Sequence, residues 1–201
     1  MKTQLKHPKL VKSLQKAHSA ERAASLAYIG HAASLRDPEA KAAIQQIERD
    51  EWEHRRVVLE IMRKYSISVS KYEEVKFYVI GKLIGYSCFL IGRFMPYFFA
   101  GKLESGNVCE YFVMIQYFHD LGITEHDSAL YEMGVKEREH ELYFQEVIKD
   151  AKWLPLFERI FNWGTDHSAN DVDLEDLLPV EEGSRYCSSH GLKKPSRGKS
   201  S

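Results

Sequence analysis

The stretch IQQIERDEWEHRRVVLEIMRKY, residues 44–65, carries the clearest structural pattern in the chain. Ile44, Ile47, Glu51, His54, Val58, Ile61 and Tyr65 recur at alternating spacings of three and four, which puts all seven on one stripe of one helix. Five are apolar or aromatic, as a core-facing stripe requires. Glu51 and His54 are not. A carboxylate buried without compensation costs several kcal/mol or takes up a proton. The sequence on either side should therefore hold whatever compensates them.

Upstream, residues 8–34 read as a helix opened by Pro8 in its first turn. Its inward stripe is Leu10, Leu14, Ala17, Glu21, Ala24, Tyr28 and His31, with Lys12, Lys16 and Arg22 facing away. Arg36-Asp37-Pro38 stops this helix and starts the next, with Asp37 as N-cap. So short a turn predicts an antiparallel hairpin. The midpoint of 21 and 51 is 36, on the turn, so Glu21 is expected to face Glu51.

Downstream, 66–70 reads as a linker, and Tyr72 to Gly92 as a very apolar helix that Arg93–Pro96 then breaks. The segment 66–101 is read as a crossover between two hairpins. Its longest uncharged stretch, Leu83–Gly92, is half the roughly 20 residues a transmembrane helix needs. A third bundle helix carries Leu103, Gly106, Glu110, Val113, Tyr117 and Leu121, and Gly122-Ile123-Thr124 ends it. Thr124 is the expected N-cap of a fourth helix, whose stripe is Leu130, Met133, Glu137, His140, Phe144, Val147 and Ala151. The midpoint of 110 and 137, 123.5, again falls on a turn. Residues 153–163 read as a short amphipathic helix, and 164–201 as a polar tail expected to be disordered.

The chain thus reads as a duplicated hairpin, all-α, with one helical domain over 1–163. Each half has an inward Glu on its first helix and Glu-x-x-His on its second: Glu21, Glu51 and His54, then Glu110, Glu137 and His140. Four carboxylates meeting at one level would repel unless cations sat among them, and two divalent ions balance the set. Oxygen and imidazole donors suit iron or manganese, leaving Fe/Fe and Mn/Fe both open. His18 and His31 lie near the Glu21 stripe but are not needed as ligands. Tyr28 and Tyr117, seven residues after Glu21 and Glu110, are candidates to stand behind the ligands, or plain core aromatics.

A net charge of −1 gives no general attraction to nucleic acid. Cys88, Cys109 and Cys187 are odd in number and form no CxxC pair, so neither a zinc ribbon nor a disulfide scaffold is expected. A reducing cytoplasm fits best, and the first residues show no secretory signal.

The ligand pattern resembles that of the ferritin-like di-iron carboxylate bundles, in which two helices give one Glu each and two give Glu-x-x-His. Residues 10–150 are most similar to the demethoxyubiquinone hydroxylase family. The likeness rests on Glu21-x-x-Ala24-x-x-x-Tyr28, Glu51-x-x-His54, an apolar crossover leading through Gly101-Lys102 to Glu110, and Glu137 with His140. It implies a ferritin-like four-helix bundle with two iron ions, O2 and a reductant as co-substrates, and hydroxylation of a quinone ring. It also implies peripheral membrane contact through 75–99, at the inner face of a membrane, and is compatible with a homo-oligomer. Asp50 before Glu51 matches the Asp-Glu-x-x-His form in which the Asp holds a ligand His by its second nitrogen, whereas the second motif has Lys136 there. Two other readings stay open: iron storage or peroxide removal without an organic substrate, as in ferritins and rubrerythrins, and a metal-free interaction bundle.

Overall fold

The computed structural model describes residues 5–164 together with Cys187. The described residues form six helices and no strands: α1 (Pro8–Ser34), α2 (Pro38–Lys64), α3 (Lys71–Ser87), α4 (Phe94–His119), α5 (Asp127–Ile148) and α6 (Leu154–Phe161). The chain divides into two compact units, Met1–Phe99 and Ala100–Ser201. None of the described helices is long and apolar enough to cross a membrane.

In the first unit, α1 packs along both α2 and α3. The His7 side chain accepts from the Leu10 N–H at 3.0 Å to cap α1, and Asp37 accepts from Glu39 N–H at 3.1 Å to cap α2. Each helix has Pro at its first position, where no backbone donor is needed. All seven residues of the Ile44–Tyr65 stripe are buried. On α1 the stripe Leu10, Leu14, Ala17, Glu21, Tyr28 and His31 is buried, with Ser25 rather than Ala24 turned inward.

The crossover segment holds a helix that lies closely along α1. A Cβ on Gly81 would sit 2.6 Å from the Ala23 carbonyl oxygen, and one on Gly85 2.9 Å from that of Leu26. Glycine is required there because backbone meets backbone. The opposite face of α3 is bare: Tyr72, Val75, Val79, Leu83 and Tyr86 follow helical spacing and are all exposed, as is Leu90 just beyond the helix, at 86%. The expected break falls earlier than Arg93–Pro96. Here α3 ends at Ser87, the chain turns through 88–93 with Gly92 at φ +75°, and Pro96 stands in the first turn of α4. Proline is tolerated there because the first turn's N–H groups lack intrahelical acceptors.

In the second unit, α4 buries Gly101, Glu104, Val108, Tyr111, Ile115 and Phe118. Their spacings alternate three and four. The expected α4 stripe is displaced from this one: Leu103 is exposed, and Gly106, Glu110, Val113, Tyr117 and Leu121 are only half-buried. Leu130, Met133, Glu137, His140 and Phe144 line the inner side of α5, continued by Ile148 in place of Val147. Thr124 is not the cap of α5. The helix starts at Asp127, whose carboxylate meets His119 Nε2 at 2.6 Å.

Trp163, just past α6, is wedged against α4 and α5. A Cβ on Gly101 would lie 2.3 Å from its ring, and its indole N–H donates to Glu141 at 2.8 Å. Nearby, Lys102 Nζ donates to the Phe161 carbonyl at 2.7 Å and Gln145 to that of Gly164 at 3.1 Å. Cys109 of α4 is joined to Cys187 by a disulfide, and Cys88 remains a buried free thiol. The cysteines therefore do pair, and they no longer argue for a reducing compartment. The expectation of a disordered tail falls outside the described residues, Gly164 and Cys187 excepted.

Candidate metal centre

Each unit gathers two carboxylates and one imidazole in its interior. In the first, Glu21 of α1 meets Glu51 and His54 of α2, with one ligand atom from each inside a 4.8 Å span. The i, i+3 spacing of Glu51 and His54 stacks both on the stripe that faces α1. All three are buried, Glu51 completely. In the second, Glu104 of α4 meets Glu137 and His140 of α5 within the same span, and again all three are buried. Within α5, His140 Nδ1 lies 3.8 Å from Glu137 Oε2.

Five of the six residues read from sequence thus stand in a buried Glu/Glu/His set within their own unit. The sixth, Glu110, does not. It is half-buried, and Glu104 takes the place expected of it. Six residues at 100° each put the two side chains about 120° apart around α4. Glu104 shares the inward stripe with Gly101 and Val108, and that alternation is the signal that identifies it.

The chemistry of the sets suits a divalent cation. Two carboxylates and a neutral imidazole carry two negative charges, which one M²⁺ balances. Buried carboxylates this close repel without such compensation. Buried donors also shield whatever they hold from bulk water, which strengthens each electrostatic contact.

The remaining candidates stand as follows. Asp50 is half-buried and accepts from Gln46 Nε2 at 2.8 Å. Lys136 pairs with Glu139 at the surface. Tyr28 is buried and Tyr117 half-buried. His31 is buried edge-on to Tyr97, ring centroids 4.6 Å apart, and burial pulls its pKa down to about 4. His18 is buried with Nδ1 3.2 Å from Glu74 Oε1; burial first, then the Arg55 charge, lowers its pKa. Neither histidine belongs to a Glu/Glu/His set.

Two carboxylate clusters beside the sets, one part-buried and one buried, have no signature in the sequence. Glu74 of α3 accepts from Ser19 and Arg22 of α1 and from Arg55 of α2. Glu141 of α5 accepts from Arg138 at 2.7 Å and from Trp163. Comparison with protein-family models, with curated proteins and with solved structures gives no match for this chain.

Proposed function

We propose that this chain is a di-metal carboxylate protein of the ferritin-like kind, acting as an O2-dependent hydroxylase on a quinone or lipid-like substrate. The observation that carries the metal reading is the pair of buried Glu/Glu/His sets, one in each unit. In this reading Glu21, Glu51 and His54, with Glu104, Glu137 and His140, hold two iron ions, or one manganese and one iron. When bound, the pair would supply Lewis acidity and relay to O2 the two electrons per turnover that a reductant provides. The chain's own part is to balance the charge with four carboxylates, to present neutral imidazoles as donors, and to keep water away.

The substrate class rests on a different feature. Exposed Tyr72, Val75, Val79, Leu83 and Tyr86 run the length of α3, and Phe89, Leu90 and Ile91 add to the turn that follows. This is far more contiguous apolar surface than scattered exposed residues explain. Lys76 and Lys82 lie over neighbouring aromatic rings of the same helix. Tyrosines and lysines around an aliphatic stripe suit an anionic lipid surface, from which an apolar substrate would be drawn.

Anaerobic Fe(II) titration tests the metal reading: about two ions per chain are expected, with binding lost in Glu51→Ala and in Glu137→Ala. A chain that takes up no iron, and is stabilised when both become Leu, refutes it. Rescue of a strain unable to hydroxylate the quinone precursor, together with quinone-stimulated O2 uptake by the loaded protein, tests the substrate. Iron oxidation that is indifferent to any quinone would favour iron handling instead.

A further inference from the structure

α3 supplies none of the candidate ligands, yet it ties together the two helices that supply the first set. Glu74, in its first turn, accepts from Ser19 Oγ at 2.7 Å and Arg22 Nη1 at 3.0 Å, both on α1. From α2, Arg55 reaches it with both nitrogens of its fork, at 3.0 and 2.9 Å. Arg55 Nη1 also donates to the His18 carbonyl of α1. One carboxylate thus gathers four donor contacts from two helices.

The positions of those donors are the telling point. Arg22 directly follows Glu21, and Arg55 directly follows His54. Ser19 precedes Glu21 by two residues. Neighbouring residues on a helix point about 100° apart, so Arg22 and Arg55 turn toward α3 while Glu21 and His54 turn into the interface between α1 and α2. A bidentate Arg–carboxylate pair fixes direction as well as distance. A shift of α1 against α2 by one residue, about 1.5 Å, would break the bonds at Glu74 and misalign the set together.

We propose that Glu74 is a positioning residue for the Glu21/Glu51/His54 set, holding α1 and α2 in the register at which the three ligand atoms converge. The inference rests on the metal reading above. Outer partners that orient a metal site typically matter 10–100-fold in affinity.

The test is Co(II) titration of the full chain, followed by visible absorption, which reports coordination geometry, with the melting temperature of the metal-free protein measured alongside. Glu74→Gln keeps the shape and an acceptor for Ser19 but loses the charge that holds both arginines. It is expected to weaken Co(II) binding about 10–100-fold and to alter the absorption band. Leu14→Ala, a core change on α1 away from Glu74, is expected to lower the melting temperature and leave the band unchanged. If Glu74→Gln merely lowers the melting temperature, with affinity and band as in wild type, the positioning role is wrong while the metal site stands. If wild type binds no Co(II), the metal reading itself fails. Should Glu74→Gln not fold, Ser19→Ala and Arg22→Lys each remove part of the clamp. Unchanged Co(II) binding in both overturns the proposal, and a several-fold loss in both supports it.

Discussion

Reducing the Cys109–Cys187 bond should destabilise the second unit by several kcal/mol. The two cysteines are 78 residues apart, and the closed loop takes in the last turns of α4 and all of α5 and α6. Opening a loop of that size returns about 15 cal/mol/K of chain entropy to the unfolded state, roughly 4.5 kcal/mol at 25 °C. At roughly 3 °C per kcal/mol for a chain of about 200 residues, the melting temperature should fall by about 10–15 °C. Both half-cystines are buried, so the reductant must be added before or during unfolding. The assay is thermal unfolding with and without a phosphine reductant, alongside Cys187→Ser. The variant should match the reduced wild type and not respond to reductant. Thiol titration of the unreduced, denatured chain should find one thiol, that of Cys88. Three free thiols would show that Cys109 and Cys187 are not joined, and superposable melts with and without reductant would show that the bond adds no stability. In the folded protein Cys88 itself should react slowly, because burial raises its thiol to about 11.

Three other outcomes are expected. Glu104→Gln should weaken metal binding at least tenfold and Glu110→Gln should leave it near wild type; the reverse order in a Co(II) titration would return the ligand to Glu110. Gly85→Ala should destabilise by about 1–3 kcal/mol, since its Cβ would lie 2.9 Å from the Leu26 carbonyl. Gly106→Ala, with nothing within 4 Å, should stabilise by about 0.5–1 kcal/mol, and urea melts of the pair compare the two. His31, lowered by burial to about 4 from an ordinary 6.5, is neutral in the fold. Its contribution is intact above pH 6.5 and is lost as pH falls through the interval to about 4, at about 1.4 kcal/mol per pH unit. His31→Gln should flatten urea stability across that window, and an unchanged slope would show that His31 does not titrate there.

How far the sequence reached depended on how sharply each helix distinguishes its faces. In α2 the stripe keeps its three–four spacing without a slip and charged residues crowd the other faces, so Ile44 to Tyr65 is unambiguous and every member is buried. The Asp37-Pro38 start was equally plain, because capping and N1 preferences are local chemistry. α4 has no comparable contrast. Its segment FMPYFFAGKLESGNVCEYFVMIQYFH is apolar on almost every side, so two stripes compete. Counting levels from the turn favoured Glu110, which is nearly as far from position 123 as Glu137 is. Glu104 lies five residues further along than Glu137, roughly 7.5 Å of helix rise. The level rule assumes two helices in flush register, whereas the face a side chain occupies admits no such slack. The Cys109–Cys187 pairing and the Glu74 cluster were illegible for another reason. Both join residues far apart in sequence, 78 positions for the cysteines and 19 to 55 for the partners of Glu74, with no local pattern to announce them.

Trp163 also gives the protein an optical handle. Of the three tryptophans, Trp52 and Trp153 are exposed and would emit at long wavelength with ready access to quenchers. Trp163 is buried, its indole hydrogen-bonded to a carboxylate and its ring pressed on Gly101. The short-wavelength, acrylamide-resistant part of the emission therefore belongs to the second unit alone. Its hydrogen-bond acceptor, Glu141, directly follows His140. A shift of that component on adding a metal would report events at α5 without any label.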